Sequence, residues 1–123
     1  MPKGVERLKK RADFLRVASV RCRWATPGIV LQAAPQVEGS DAGLLRVGFT
    51  ATKKTGNAVK RNRIKRRLRA LADDLLPKYG RPGTDYVLIG RQGTVTRDFQ
   101  DLQADLVFAL KKVNSMKSRD RNA

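Results

Sequence analysis

Histidine is absent from this 123-residue chain, and cysteine occurs once, as Cys22. The first absence removes the commonest general base and the commonest metal ligand. The second rules out an internal disulfide or a cysteine-rich zinc cluster, and a single thiol suits a reducing compartment. Aromatic residues are scarce, at 6%. No run approaches the roughly 18 apolar residues that a membrane-spanning helix needs. The opening Met1-Pro2-Lys3-Gly4 lacks the apolar core of a signal peptide. Acids are also few: 11 Asp and Glu stand against 27 Lys and Arg, a formal net charge of +16. On so small a chain that excess repels itself unless a polyanion neutralises it. Nucleic acid is therefore the leading partner class, with an anionic membrane surface second. The expected setting is cytoplasmic, without a membrane partner.

What is present is enough for one fold. Hydrophobic residues make up 41% of the chain, which supports a single modest core at this length. A basic helix is expected from Leu8 to Ala18, after a loose start, and residues Val20 to Trp24 read as extended. Thr26-Pro27-Gly28 marks a turn, followed by a short apolar strand from Gly28 to Ala34. Pro35 to Gly43 is expected to be a loop that closes a hairpin with a strand from Leu44 to Thr50. Asn57 can cap a helix running to about Leu76, where Pro77 and Gly80 stop it. The Tyr86-Val87-Leu88-Ile89 core of the next strand (Asp85 to Arg91) predicts burial on both faces. Thr96 can cap a final helix from Arg97 to about Val113. Asp98, Asp101 and Asp105 near its start and Lys111 and Lys112 near its end suit the helix dipole. The order α-β-β-α-β-α predicts an α+β fold: one small domain, residues 1–113, with helices packed on a small mixed sheet. Residues 114–123 are expected to form a basic, disordered tail.

The decisive stretch is Lys60-Arg61-Asn62-Arg63-Ile64-Lys65-Arg66-Arg67-Leu68-Arg69, in which seven of ten residues are cationic. At 100° per residue, Ile64, Leu68, Leu71 and Leu75 fall on one side, which would be the buried stripe. Asn62, Arg66 and Arg69 fall opposite, flanked by Arg63, Lys65 and Arg67. A solvated face normally interleaves both signs, yet the first acid after the cluster is Asp73. Guanidinium forks bridge phosphate oxygens and stack on exposed bases, so a nucleic-acid backbone is the expected partner. The Thr52-Lys53-Lys54-Thr55-Gly56-Asn57 loop brings two more lysines to the helix N-terminus, where free N–H groups already favour an anion.

Other signals carry less. Gly48 to Thr55 nearly spells a phosphate-binding loop, but Lys53 stands where the second glycine should be. Gly90-Arg91-Gln92-Gly93 fits the short G-x-x-G pattern of one RNA-binding module and equally well the end of a strand. The three early aspartates of the last helix could bind a cation, though their place at a helix start already accounts for them. Phe14, Trp24 and Tyr86 could stack on bases or fill the core. No nucleophile–base set exists, so a stand-alone nuclease is disfavoured and a binder without chemistry of its own is expected. A ribosomal or assembly protein, or a nonspecific DNA binder, would show the same charge.

A more specific likeness separates these readings. Arg46-Val47-Gly48-Phe49, then Thr52-Lys53-Lys54-Thr55-Gly56-Asn57-Ala58-Val59, then Lys60-Arg61-Asn62-Arg63-Ile64-Lys65-Arg66 together resemble the signature of the protein subunit of bacterial ribonuclease P. Arg11-Ala12-Asp13-Phe14 is similar to the basic-x-acid-Phe segment of the same family, and the resemblance spans about residues 5 to 113. It implies a left-handed strand–helix–strand crossover, against the general preference. It also implies a protein that partners a catalytic RNA in removing the 5′ leader of precursor tRNA. The RNA, with Mg²⁺ that it holds itself, does the hydrolysis, and the protein raises substrate and Mg²⁺ affinity; no obligate protein partner is expected. By this resemblance Lys60, Arg61, Asn62, Arg63, Lys65, Arg66, Arg67 and Arg69 hold the catalytic RNA. Phe14, Lys53, Lys54, Asn57 and Arg91 contact the leader in a cleft between the sheet and the first helix. Two positions depart from the family. Ala18 stands where many members have a second aromatic, and Gln32 where a cleft strand often shows one, so leader stacking is either weaker or passes to Trp24.

Overall fold

The computed structural model describes residues 5–36, 44–51 and 53–122, and the side chains of all of these but 53 and 116–122. Its elements are β1 (Val5–Arg7), α1 (Arg11–Val20), β2 (Cys22–Ala25), β3 (Ile29–Pro35), β4 (Leu45–Thr50), a 3-10 turn (Lys53–Thr55), α2 (Ala58–Tyr79), β5 (Thr84–Gly90), α3 (Gln92–Thr96) and α4 (Phe99–Asn122). The five strands form one sheet in the order β1-β4-β5-β3-β2. β1, β4 and β5 run parallel, whereas β3 is antiparallel to both β5 and β2. The fold is thus α+β with a mixed sheet, as expected.

The strand neighbours are not those expected. No hairpin joins β3 to β4, because β5 lies between them, with Tyr86 opposite Ala33 on one side and Val47 on the other. The continuous apolar run of β5 explains this. A strand buried on both faces belongs at the sheet centre. The true hairpin is β2–β3, turned at Thr26-Pro27-Gly28, where the Thr26 N–H donates to the Ile29 carbonyl at 2.8 Å. β1 and α3 are additional elements; three residues and five residues carry too little periodicity to be read from sequence. Pro77 does not stop α2. It sits inside the last turn, and the helix closes with the Gly80 N–H on the Leu76 carbonyl at 2.8 Å. α4 likewise continues beyond Val113 to Asn122, through most of the stretch expected as a disordered tail.

The sheet sorts its side chains by alternation. Leu31, Ala33, Val47, Phe49, Tyr86 and Leu88 face α2 and α4 and build the main core with Ile64, Leu68, Leu71, Leu76, Leu102, Leu106 and Leu110. The opposite face is smaller: Val87 and Ala34 pack with Leu8 and Val17 under α1. Gly90 lets α2 settle on the sheet, since a Cβ there would run into Ile64. Among the described residues no helix is long and apolar enough to cross a membrane.

Tyr86 ties the core to the polar end of α4. Its hydroxyl donates to Asn114 Oδ1 at 2.7 Å and accepts the Arg81 N–H at 2.9 Å. Burial raises its pKa above the ordinary phenol value. A raised folded-state pKa stabilises the protein below the unfolded value of about 10, and this contribution fades as pH rises through the folded pKa. We expect Tyr86→Phe to cost about 1 kcal/mol at neutral pH. The gap between variant and wild type should close as urea titrations are repeated at increasing pH above about 10.

Candidate nucleic-acid interface

The helix α2 divides cleanly into two sides. Asn57 caps it, its Oδ1 accepting the Lys60 N–H at 3.0 Å. Ile64, Leu68, Leu71, Ala72, Leu75 and Leu76 are buried. Asn62, Arg63, Lys65, Arg66 and Arg69 are exposed, and Lys60, Arg61 and Arg67 are half-buried. Among the described residues every ion pair lies elsewhere, on Arg16, Arg46 and Arg97. Among the described residues no carboxylate pairs with this face. Arg67 differs from its neighbours. Its guanidinium donates to the carbonyls of Val95 (3.1 Å) and Arg97 (2.8 Å) and so straps the α3–α4 connection onto α2.

Between α1 and the first turns of α2, at the end of β4, opens a cleft of about 460 Å³ lined by Lys9, Arg11, Phe14, Leu15, Phe49, Thr50, Ala51 and Lys65. Four features of the sequence build it. Gly48 allows Phe14 to lie flat on β4, since a Cβ at that position would come within 2.5 Å of the ring. Leu15 remains 59% exposed, an apolar surface at the cleft mouth. The guanidinium of Arg7 stands 5.1 Å over the Phe49 ring. Asp85, fully buried, holds α1 down by accepting hydrogen bonds from Arg16 on α1 and from Arg46 on β4 (Nε 2.8 Å, Nη2 2.7 Å). These bonds raise the pKa of Arg46 above its ordinary value. The cleft is therefore aromatic at its floor and cationic at its rim, a form suited to a flexible single strand. Lys65 carries the positive charge of α2 into it.

The family model described as Ribonuclease P matches residues 1–114. The chain belongs to the ribonuclease P protein family. It is 52% identical to the ribonuclease P protein component of Paramagnetospirillum magneticum over 118 residues, 94% of this chain and 88% of that protein. It is 50% identical to that of Ruegeria pomeroyi over 115 residues, 93% and 90% of the two chains. Among solved structures, the ribonuclease P protein of Staphylococcus aureus superposes with a TM-score of 0.68 at 30% identity, covering 85% of this chain and 92% of that one. That of Thermotoga maritima gives 0.67 at 27% identity, covering 83% and 92%. Family membership makes the chain the non-catalytic protein subunit of an endoribonuclease that works with an RNA in processing the tRNA 5′ leader.

The residues expected to contact the leader are not all brought together. Phe14 lines the cleft, and Lys54 is exposed on the 3-10 turn beside α2. Thr52 and the Lys53 side chain lie outside the described residues. Asn57 has its carbonyl oxygen engaged in capping α2. Arg91 is not in the cleft wall; its Nη1 donates to the Thr26 carbonyl at 2.8 Å and braces the β2–β3 turn. Trp24 faces the other way, paired with Leu31 on the α4 side of the sheet, and its ring lies 5.9 Å from Phe108. It therefore cannot replace a cleft aromatic, since strand alternation puts it on the wrong face. Gln32 does face the α1 side, opposite Val87. Lys9, Arg11 and Leu15 are cleft residues that sequence reasoning missed, although Leu15 beside Phe14 on a basic helix was a visible signal. Asp105 is engaged by Arg97 at 2.9 Å and by the Gly28 N–H at 3.1 Å, so it ties α4 to the β2–β3 turn. Among the described residues no cluster of three acidic, cysteine or histidine side chains could hold a metal ion.

Gly48 supplies a direct check on the cleft in this ribonuclease P protein. Gly48→Ala should push the Phe14 ring off the sheet and weaken binding of a single-stranded leader oligonucleotide by roughly 10-fold, about what loss of one stacked base costs. Affinity for the catalytic RNA should stay the same.

Proposed function

We propose that α2 grips the catalytic RNA of ribonuclease P while the cleft under α1 receives the single-stranded 5′ leader of precursor tRNA. The observation that carries this reading is the α2 surface: a row of cations on a helix anchored by its apolar stripe, with no partner carboxylate among the described residues. Lys60, Arg61, Asn62, Arg63, Lys65, Arg66 and Arg69 serve the RNA backbone, with Arg67 bracing the helix from behind. Phe14, with Lys54 at the helix entrance and the basic cleft rim, serves the leader. Lys53 belongs with them by its place in the chain. Neutralising phosphates lowers the repulsion between two RNAs and raises the affinity of the assembly for precursor tRNA and for Mg²⁺. The ion belongs to the RNA in this reading, because the cleft and the α2 face are lined by cations that would repel it. The protein then acts in the cytoplasm, with RNA as its obligate partner.

Reconstitution tests the proposal. Mixed with a bacterial ribonuclease P RNA at low Mg²⁺, the protein should permit cleavage of a precursor tRNA at one site, the mature 5′ end. Cleavage that is no better than with RNA alone, together with tight binding to ribosomal RNA, would overturn it.

A further inference from the structure

A groove on the far side of α2 from the leader cleft remains unexplained by phosphate neutralisation alone. It encloses about 720 Å³ and is lined by Val59, Arg63, Arg66, Arg67, Ala70 and Phe99. The first five lie at helical spacing along one face of α2. Phe99, the first residue of α4, forms the opposing wall. Its position is fixed from beneath by Arg67, whose two hydrogen bonds to Val95 and Arg97 hold the chain just before it. Two large apolar side chains stay open here: Val59 at 76% and Phe99 at 36% exposure. Among the described residues, neither the Arg63 nor the Arg66 guanidinium has a hydrogen-bond or ion-pair partner.

We propose that this groove is a nucleotide subsite that takes one unpaired base of the catalytic RNA, stacked on Phe99, with its phosphate held by Arg63 and Arg66. The inference rests on the assignment of α2 to that RNA. The walls differ in a way that fixes the orientation. The α2 wall is cationic, whereas Phe99 has Asp98 and Asp101 close by in the chain, which disfavours phosphate on that side and favours a base edge rich in donors. A regular duplex presents only its backbone and cannot reach an aromatic wall in a recess. A looped-out nucleotide can, and every base has a face to stack. An apolar peptide would leave the guanidinium groups without a partner on desolvation. The precursor tRNA leader is assigned to the cleft beside α1, on the other side of α2 from this groove.

The test measures the affinity of the whole protein for the catalytic RNA alone, without precursor tRNA. Phe99→Leu keeps an apolar side chain but removes the ring plane. It should bind about 10-fold more weakly, within the range seen when a base-stacking aromatic is lost, and Phe99→Trp should restore affinity. Because stacking releases no counterions, the slope of log K against log salt should not change in Phe99→Leu. Val59→Glu provides a variant safe for folding, since a carboxylate in the first turn suits the helix dipole; it should also weaken binding. Wild-type affinity in both variants overturns the subsite, while a still-weakened Arg61/Arg63/Arg66 alanine variant would show that the broader reading of α2 survives. Wild-type affinity in that triple variant as well would sink both. Loss of leader affinity alone in Phe99→Leu would assign the groove to substrate and equally overturn the proposal.

Discussion

Alanine at Arg61, Arg63 and Arg66 together lowers affinity for the catalytic RNA by roughly 100-fold at about 0.1 M salt, three phosphate contacts being lost at once. The fold should be unaffected, with a melting temperature within about 2 °C of wild type, since substitutions outside caps and cores rarely matter more. The reason lies in how α2 is held. Its stability comes from Ile64, Leu68, Leu71 and Leu75 against the sheet and from the Asn57 cap, none of which the three substitutions touch. Removing positive charge from so basic a chain relieves repulsion. Filter binding with circular dichroism on the same samples separates the two effects. By contrast, Arg67→Ala should loosen the α3–α4 connection, because this arginine binds the protein's own backbone.

Asp85→Ala produces the largest loss of stability, about 3 kcal/mol, or roughly 10–15 °C in melting temperature for a domain of this size. Asp85 is fully buried beneath α1, and it is the carboxylate to which Arg16 and Arg46 both point. Without it, two guanidinium groups face each other across the seat of α1, with Asp13 at 3.8 Å from each too distant to replace its hydrogen bonds. The helix then loses its registration on β4 and β5, and Phe14 loses its place over Gly48. Leader affinity should fall together with stability, whereas affinity for the catalytic RNA should hold, because α2 packs on the opposite face. A differential scan paired with separate titrations of leader and RNA reads all three. Equal loss of both affinities would mean that the two surfaces are not independent.

How much of this was legible in the sequence depends on how local the determining physics is. The buried stripe of α2 and its charged back are a property of consecutive residues at 3.6-residue spacing, and the structure reproduces both. Strand adjacency is not local. The apparent hairpin of β3 with β4 fails because β5 needs cover on both faces and competes for both neighbours. The same non-locality hid the cleft. Nothing in the Gly48 segment announces that Phe14, thirty-four residues earlier, will lie on it. Arg16, Arg46 and Asp85 likewise meet only after folding. Among the cations of α2, the helical spacing puts Arg66 on the outer face with Lys65 and Arg67 on its flanks, but it cannot say what each flank meets. In the structure they reach the cleft beside α1, the groove facing Phe99 and the α3–α4 connection in turn. For Trp24 the sequence left base stacking and core packing both open, and strand alternation puts it on the α4 side against Phe108.

The central claim is that α2 meets RNA through its own unneutralised arginines. The most direct measurement is the slope of log K against log salt for the catalytic RNA, taken for wild type and for the Arg61/Arg63/Arg66 alanine variant side by side. Three lost phosphate contacts should flatten the slope by about 2 to 3. Two parallel lines would mean that these arginines never touch the RNA backbone, and the account of this helix would be wrong.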